Sequence, residues 1–190
     1  MPKGSPSSFF GISEEFKNRR KTGMLDDKAA SIEPNLNDAF REAMRSAASS
    51  VYLLTARGEE GDVGMTATAA CSLSFDPISV LVCVNRSASI ARTLERTGRF
   101  VLNILSLDDQ VIANDFGSPV GKKHRFSRGE WYELDQMPAL RSSISSMSCE
   151  VSRSMEFGTH CIYASTVGRV DIRTGKSELL YCKGNFRALG

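Results

Sequence analysis

The chain has 190 residues, 41% hydrophobic and 24% charged; 24 Lys and Arg against 22 Asp and Glu leave a formal net charge of +2. These are the values of one ordinary globular domain that can build its own core, and they exclude a chain disordered throughout. The even charge balance argues against a general nucleic-acid binder, and no apolar run is long enough to span a membrane as a helix.

Residues 1–35 differ in composition from the rest. Pro2, Gly4, Ser5, Pro6, Ser7 and Ser8 lead into a charged stretch with Lys17, Arg19, Arg20 and Lys21, interrupted by Phe9, Phe10, Ile12 and Phe16. This segment reads as a flexible or partner-docking N-terminal arm, ahead of one domain over residues 36–190. Glu14, Glu15, Asp26 and Asp27 flank the basic run, so a solvated segment explains it without nucleic acid.

Leu36, Phe40, Met44 and Ala47 recur at helical spacing after Asn37, which predicts an amphipathic helix capped by Asn37 with its stripe on the core. Strands follow. Val51–Thr55 is an apolar run that ends at a polar turn over 57–61, the stretch from Val63 to Ser74 is rich in Thr, Ala and Ser, and Asp76-Pro77 marks a turn before the strand Ser79–Val84. Ser87 to Thr97 reads as a helix stopped by Gly98, Phe100–Leu105 as a strand, and Asp108–Phe116 as a short helix capped by Ser106. Residues 117–138 look irregular. Strands are predicted again over 147–151, 160–172 and 178–182, the second alternating in two clean sets that suit an antiparallel strand with one face on a core. Many strands paired as neighbours, with few helices between them, predict a mostly β fold closed or nearly closed into a barrel.

The five cysteines, Cys71, Cys83, Cys149, Cys161 and Cys182, are odd in number and lack a C-x-x-C pair. Buried reduced thiols in a cytoplasmic protein are expected, and with only His124 and His160 as histidines a zinc site is not. Gly117-Ser-Pro-Val-Gly-Lys122 misses the spacing of a nucleotide-phosphate loop, and neither G-x-G-x-x-G nor G-x-S-x-G occurs.

Two segments carry candidate chemistry. Gly64 to Ser74 holds four hydroxyl residues and three alanines with little bulk. It is either a tightly packed barrel strand or an edge that lets a flat ligand approach the backbone, with Thr66, Thr68 and Ser72 as partners. Asn85-Arg86-Ser87-Ala88-Ser89 runs from a strand into a helix start, where free N–H groups and the positive helix end favour an anion, most naturally a phosphate. Ordinary serine capping is the rival explanation.

In order and spacing, Gly64–Ala69, Ser72–Pro77, Val82–Ser87, Gly98–Asn103, Arg125-Phe126, Gly158-Thr-His160 and Leu179–Tyr181 together resemble the flavin reductase family with the FMN-binding split-barrel fold. The resemblance covers residues 36–189. It implies an NAD(P)H-dependent reduction of FMN or FAD, with reduced flavin passed to a partner monooxygenase. A corrinoid cobalt reductase and a non-catalytic flavin- or haem-binding module are the alternatives. It further implies a cytoplasmic homodimer with flavin at the subunit interface. Residue by residue, it sets Thr66, Ala67, Thr68, Ala69 and Ser72 along the flavin ring. Asn85, Arg86, Ser87 and Ser89 come near the phosphate, Arg125 and Phe126 match a further family segment, and His160 lies by the nicotinamide. The family's usual acids before the arginine and the histidine are here His124 and Thr159.

Overall fold

The computed structural model describes residues 35–119 and 124–189. Of the expected arm, all but Asn35 lies outside the described residues.

Helix α1 spans Leu36–Ser46 but buries none of its residues. The expected apolar stripe exists, yet Leu36, Phe40 and Met44 are exposed. The periodicity is that of an apolar face; what covers a face is not written in its period. Asn37 lies inside the first turn, not at the cap.

The barrel begins with the two-residue strand β1, Ser49–Ser50, then β2, Tyr52–Gly58, and β3, Gly61–Ala67. The predicted stretch from Val63 to Ser74 is thus two strands, since β4 starts again at Ala70 and runs to Phe75. After the Asp76-Pro77 turn, β5 covers Ile78–Asn85 and α2 covers Ser89–Thr97. Gly98 ends that helix in the left-handed region, φ 63°, with its N–H on the Leu94 carbonyl, a geometry that glycine reaches without a Cβ penalty. β6, Arg99–Ile104, leads to Ser106, whose hydroxyl and N–H both bond Asp109 at 2.8 Å, capping a 3-10 turn that runs into α3, Gln110–Gly117.

The region expected to be irregular holds a hairpin, β7 (Trp131–Leu134) and β8 (Met137–Leu140). Its turn residues, Asp135 and Gln136, both take positive φ, 49° and 66°. Asp-Gln is a weak signature for a turn that usually advertises itself with glycine. β9, Ser145–Phe157, extends six residues past the expected end; residues 152–157 are all exposed, so no buried alternation marked them as strand. β10, His160–Ile172, has the predicted bounds, and a last pair, β11 (Leu179–Cys182) and β12 (Asn185–Ala188), packs beside β1.

The main sheet has seven strands in the order β3-β2-β6-β9-β10-β5-β4. The strands at its two edges, β3 and β4, are consecutive in the chain yet do not pair, so the barrel is split between them. Inside lie Leu54, Val82, Val84, Ile90, Leu94, Phe100 and Tyr163. Along β10 the predicted alternation holds: Cys161, Tyr163 and Ser165 are buried, whereas Ile162 and Ala164 are half-buried on the outer face. The cysteines divide differently from expectation. All five are free, but only Cys149 and Cys161 are buried; Cys71 is exposed because its side chain leaves the outer face of an edge strand.

Candidate functional site

The split places the small-residue segment at a seam. Thr68 and Ala69 cross it between β3 and β4 and are exposed, while Ala67 is buried. The Cys83 N–H donates to the Ala69 carbonyl at 2.9 Å, so the crossing runs beside the end of β5. The first half of the segment is tightly packed. A Cβ on Gly64 would come within 2.8 Å of both the Leu54 carbonyl oxygen and the Phe116 ring, so close packing of α3 demands glycine there. Thr66 also faces α3 and donates its hydroxyl to the Ala113 carbonyl at 2.8 Å. Thr68, Ala69 and Ser72 face solvent instead.

At the end of β5, Asn85 Oδ1 accepts from both the N–H and the hydroxyl of Ser87, at 2.9 and 2.8 Å. This local turn settles the capping question. Ser87 is committed to Asn85, the N-cap of α2 is Ala88, and no side chain caps the helix. The Ala91 N–H donates to the Ala88 carbonyl at 3.0 Å, and the first turn of α2 has no side-chain acceptor; Ser89 and Arg86, on either side of the N-cap, are exposed. Arg86 is anchored by its own N–H, which donates to the Thr159 carbonyl at 3.0 Å, and its Nη1 lies 3.1 Å from Glu156 Oε2.

His160 opens β10, where the register sets it opposite Asn85 on one side and Phe157 on the other. Directly opposed residues share a sheet face, so these three side chains form a row on the outer surface. The Thr159 hydroxyl oxygen is 2.9 Å from His160 Nδ1. The structure thus gathers Thr68 and Ala69, the Asn85–Ser89 turn, and His160 at one end of the β4-β5-β10 surface.

Arg125 and Phe126 are placed differently. The Arg125 guanidinium donates to the carbonyls of Asp115 (3.0 Å), Phe116 (3.1 Å), Ser118 (3.3 Å) and Gly64 (3.4 Å). It ties the end of α3 to β3 and lies behind the seam. Burial lowers its pKa from the usual arginine value, and the charge of Asp115 opposes that shift. Phe126, at φ 63°, is held between Phe116 and Trp131, with ring centroids 5.0 and 4.7 Å away. In this structure Arg125 makes hydrogen bonds to main-chain carbonyls and Phe126 packs on aromatic rings, both within the protein.

Two side chains at the site escaped sequence reasoning. Glu156 sits in the exposed run that hid the end of β9, where an acid carries no signal. Thr159 was noted only as a departure from a pattern, whereas the structure makes it a partner of the histidine ring. Among the described residues no group of three His, Cys, Asp or Glu is placed to hold a metal, and no helix is long and apolar enough to cross a membrane.

The arrangement offers exposed backbone and little bulk at the seam, an uncapped helix start with an adjacent cation, and an imidazole one strand away. That combination fits a flat ring carrying an anionic tail. Comparison with known proteins agrees. A family model described as "Flavin reductase like domain" matches residues 44–190. The FMN reductase (NADH) RutF of Pseudomonas syringae is 37% identical over 144 residues, covering 75% of this chain and 81% of that protein. RutF of Acinetobacter baylyi is 34% identical over 149 residues, covering 78% and 79%. Among solved structures, BorF, the flavin reductase component of a bacterial two-component tryptophan halogenase, superposes with a TM-score of 0.74 at 26% identity, covering 80% of this chain and 98% of that one. The expected split-barrel fold is the observed one, and the chain belongs to the flavin reductase family.

Proposed function

We propose that the protein is an NAD(P)H-dependent flavin reductase that binds FMN or FAD and releases reduced flavin to a partner monooxygenase. The observation that carries the reading is the juxtaposition at the end of β5: an uncapped helix start and Arg86 on one side, His160 paired with Asn85 on the other, and the exposed Thr68-Ala69 seam alongside. The residues present fit a flavin. The helix N–H groups and Arg86 hold the anionic tail, and the seam leaves room for a ring to lie on backbone with no bulky side chain in its way.

When bound, the flavin accepts a hydride from the nicotinamide, so the cofactors supply the redox chemistry. The chain orients them. Thr68 and Ala69 present the ring with exposed main chain, and Ser72 lies further along β4. His160, turned by Thr159, presents its free ring nitrogen on the same surface and positions the second ligand. No side chain has to remove a proton for hydride transfer, and orientation alone supplies much of the rate gain.

The reading extends to a homodimer. The outer face of β9, β10, β5 and β4 carries Met155, Ile162 and Cys83 in one row, directly beside the His160 row, and Ala164, Leu81 and Cys71 in the next, with Arg153 at the β9 end of that row. Exposed Phe157, in the His160 row, extends it. A continuous apolar face of this kind marks an interface, and a second copy on it would cover the site. The free thiols fit a cytoplasmic location.

The deciding experiment is NADH and NADPH oxidation by the purified protein with FMN, with FAD and without flavin. Oxidation that depends on added flavin supports the reading. Flavin binding without turnover would leave only a binding module. For the dimer, sedimentation of the unaltered chain and of Ile162→Glu should show a dimer and a monomer respectively; a native monomer that binds flavin tightly would overturn it.

A further inference from the structure

Glu156 is the one acidic residue in the stretch 152–160, which forms the protruding end of the β9-β10 hairpin. The register sets it opposite Cys161, one residue before Phe157 and on the other face of the hairpin from the row of Phe157 and His160. Its Oε2 lies 3.1 Å from Arg86 Nη1. The bond from the Arg86 N–H to the Thr159 carbonyl, 3.0 Å, fixes the base of the arginine against the same hairpin turn. Arg86, two residues before the N-cap of α2, therefore already has an anionic partner, supplied by the chain itself.

The pair is exposed, at 49% for the arginine side chain and 61% for the glutamate. In water such a contact is worth a factor of only about 1.4–5 in an equilibrium. A buried pair would resist exchange; this one can be opened by a better anion. A phosphate brings more charge than a carboxylate, and it can also accept from the helix N–H groups, which Glu156 does not cap.

We infer that Glu156 is an internal counter-anion that competes with the flavin phosphate for Arg86, and so sets both the affinity for phosphorylated flavins and the speed of their release. This rests on the reading that Arg86 meets the phosphate. Glu156 acts through Arg86 and is a positioning residue. An incoming phosphate must displace its carboxylate or share the guanidinium with it, and the displaced charge stays close by. Riboflavin has no phosphate and meets no such competition. The device suits a protein whose flavin leaves after reduction, because a charge that opposes binding also hastens departure.

The test is titration of the full chain with FMN and with riboflavin, in the unaltered protein, Glu156→Gln, Arg86→Ala and the double variant. Stopped-flow release of FMN and a melting curve accompany each. Glu156→Gln should tighten FMN about two- to five-fold and slow its release in proportion, with riboflavin unchanged. In the Arg86→Ala background that gain should shrink to less than half. If Arg86→Ala weakens FMN selectively but Glu156→Gln leaves FMN unchanged or weaker, the inference fails while the phosphate assignment stands. If Glu156→Gln tightens FMN and riboflavin alike, the glutamate acts through hairpin structure and the inference also fails. If Arg86→Ala weakens both flavins equally, the phosphate assignment fails first and takes the inference with it.

Discussion

The hydroxyl oxygen of Thr159 lies 2.9 Å from Nδ1 of His160, so the imidazole is held by the residue before it in the chain. Whichever partner donates, the contact limits rotation of the ring and leaves Nε2 to face outward. His160→Ala should raise the KM for NAD(P)H or slow flavin reduction and leave flavin affinity nearly unchanged. Thr159→Val should do the same to a smaller degree. Stopped-flow reduction of flavin-loaded protein, with a melting curve on the same sample, checks both. Normal kinetics with a lowered Tm would make His160 a structural residue.

Arg86→Ala should weaken FMN binding by about 1.5 kcal/mol, roughly ten-fold, which is the low end for a charge-assisted hydrogen bond. The low end applies because the side chain is half exposed. A phosphate contact serves ground and transition states alike, so the rate of reduction at saturating FMN should hardly change. Titration with FMN and riboflavin in parallel measures the selectivity.

Arg125→Met should behave in the opposite way. Losing four bonds to main-chain carbonyls of α3, its C-cap Ser118 and β3 should cost about 1–3 kcal/mol of stability. FMN and riboflavin affinity should fall together, because the damage reaches the seam through β3. A selective loss of FMN would instead make Arg125 a phosphate ligand.

Gly64→Ala adds a methyl group where the nearest atoms, the Leu54 carbonyl oxygen and the Phe116 ring, are both at 2.8 Å. The backbone oxygen cannot swing away, so overpacking should cost about 1–3 kcal/mol. Chemical denaturation of the variant reads this directly, and an unchanged midpoint would show that α3 can shift freely.

Burial pushes the Cys149 thiol from 9.0 up to about 12. The unfolded chain loses this proton first as pH rises, so the stabilisation is present in full below pH 9 and is lost between 9 and about 12. Denaturation midpoints across that range should fall less steeply in Cys149→Ala. Part of the slope should persist, because burial also raises the Tyr163 hydroxyl. In thiol labelling near neutral pH, exposed Cys71 should react and Cys149 should not.

Strand and helix periods were legible wherever one face is buried. The bounds of β10, the stop at Gly98 and the cap at Ser106 were all readable in the chain. The Asn85–Ser89 turn at a helix start was readable because it is local in the chain. The β7-β8 hairpin was not, since its turn lacks glycine, and neither was the outer half of β9, whose residues are all exposed. The exposed stripe of α1 shows the reverse limit: a period announces an apolar face without naming what covers it.

By itself the sequence determined the class of fold, the helix and strand content of most segments, and the residue types that could meet a ring and a phosphate. Those properties follow from spacing within short windows, where side-chain direction is set by the backbone repeat. Only the tertiary structure decided that the barrel splits at Thr68 and Ala69, and that Thr66 and Arg125 spend their hydrogen bonds on α3. It also decided that Arg86 meets Glu156 across 70 residues of chain. These are pairings between segments remote in sequence. Nothing in either partner's local pattern selects the other; the order of strands in the sheet does.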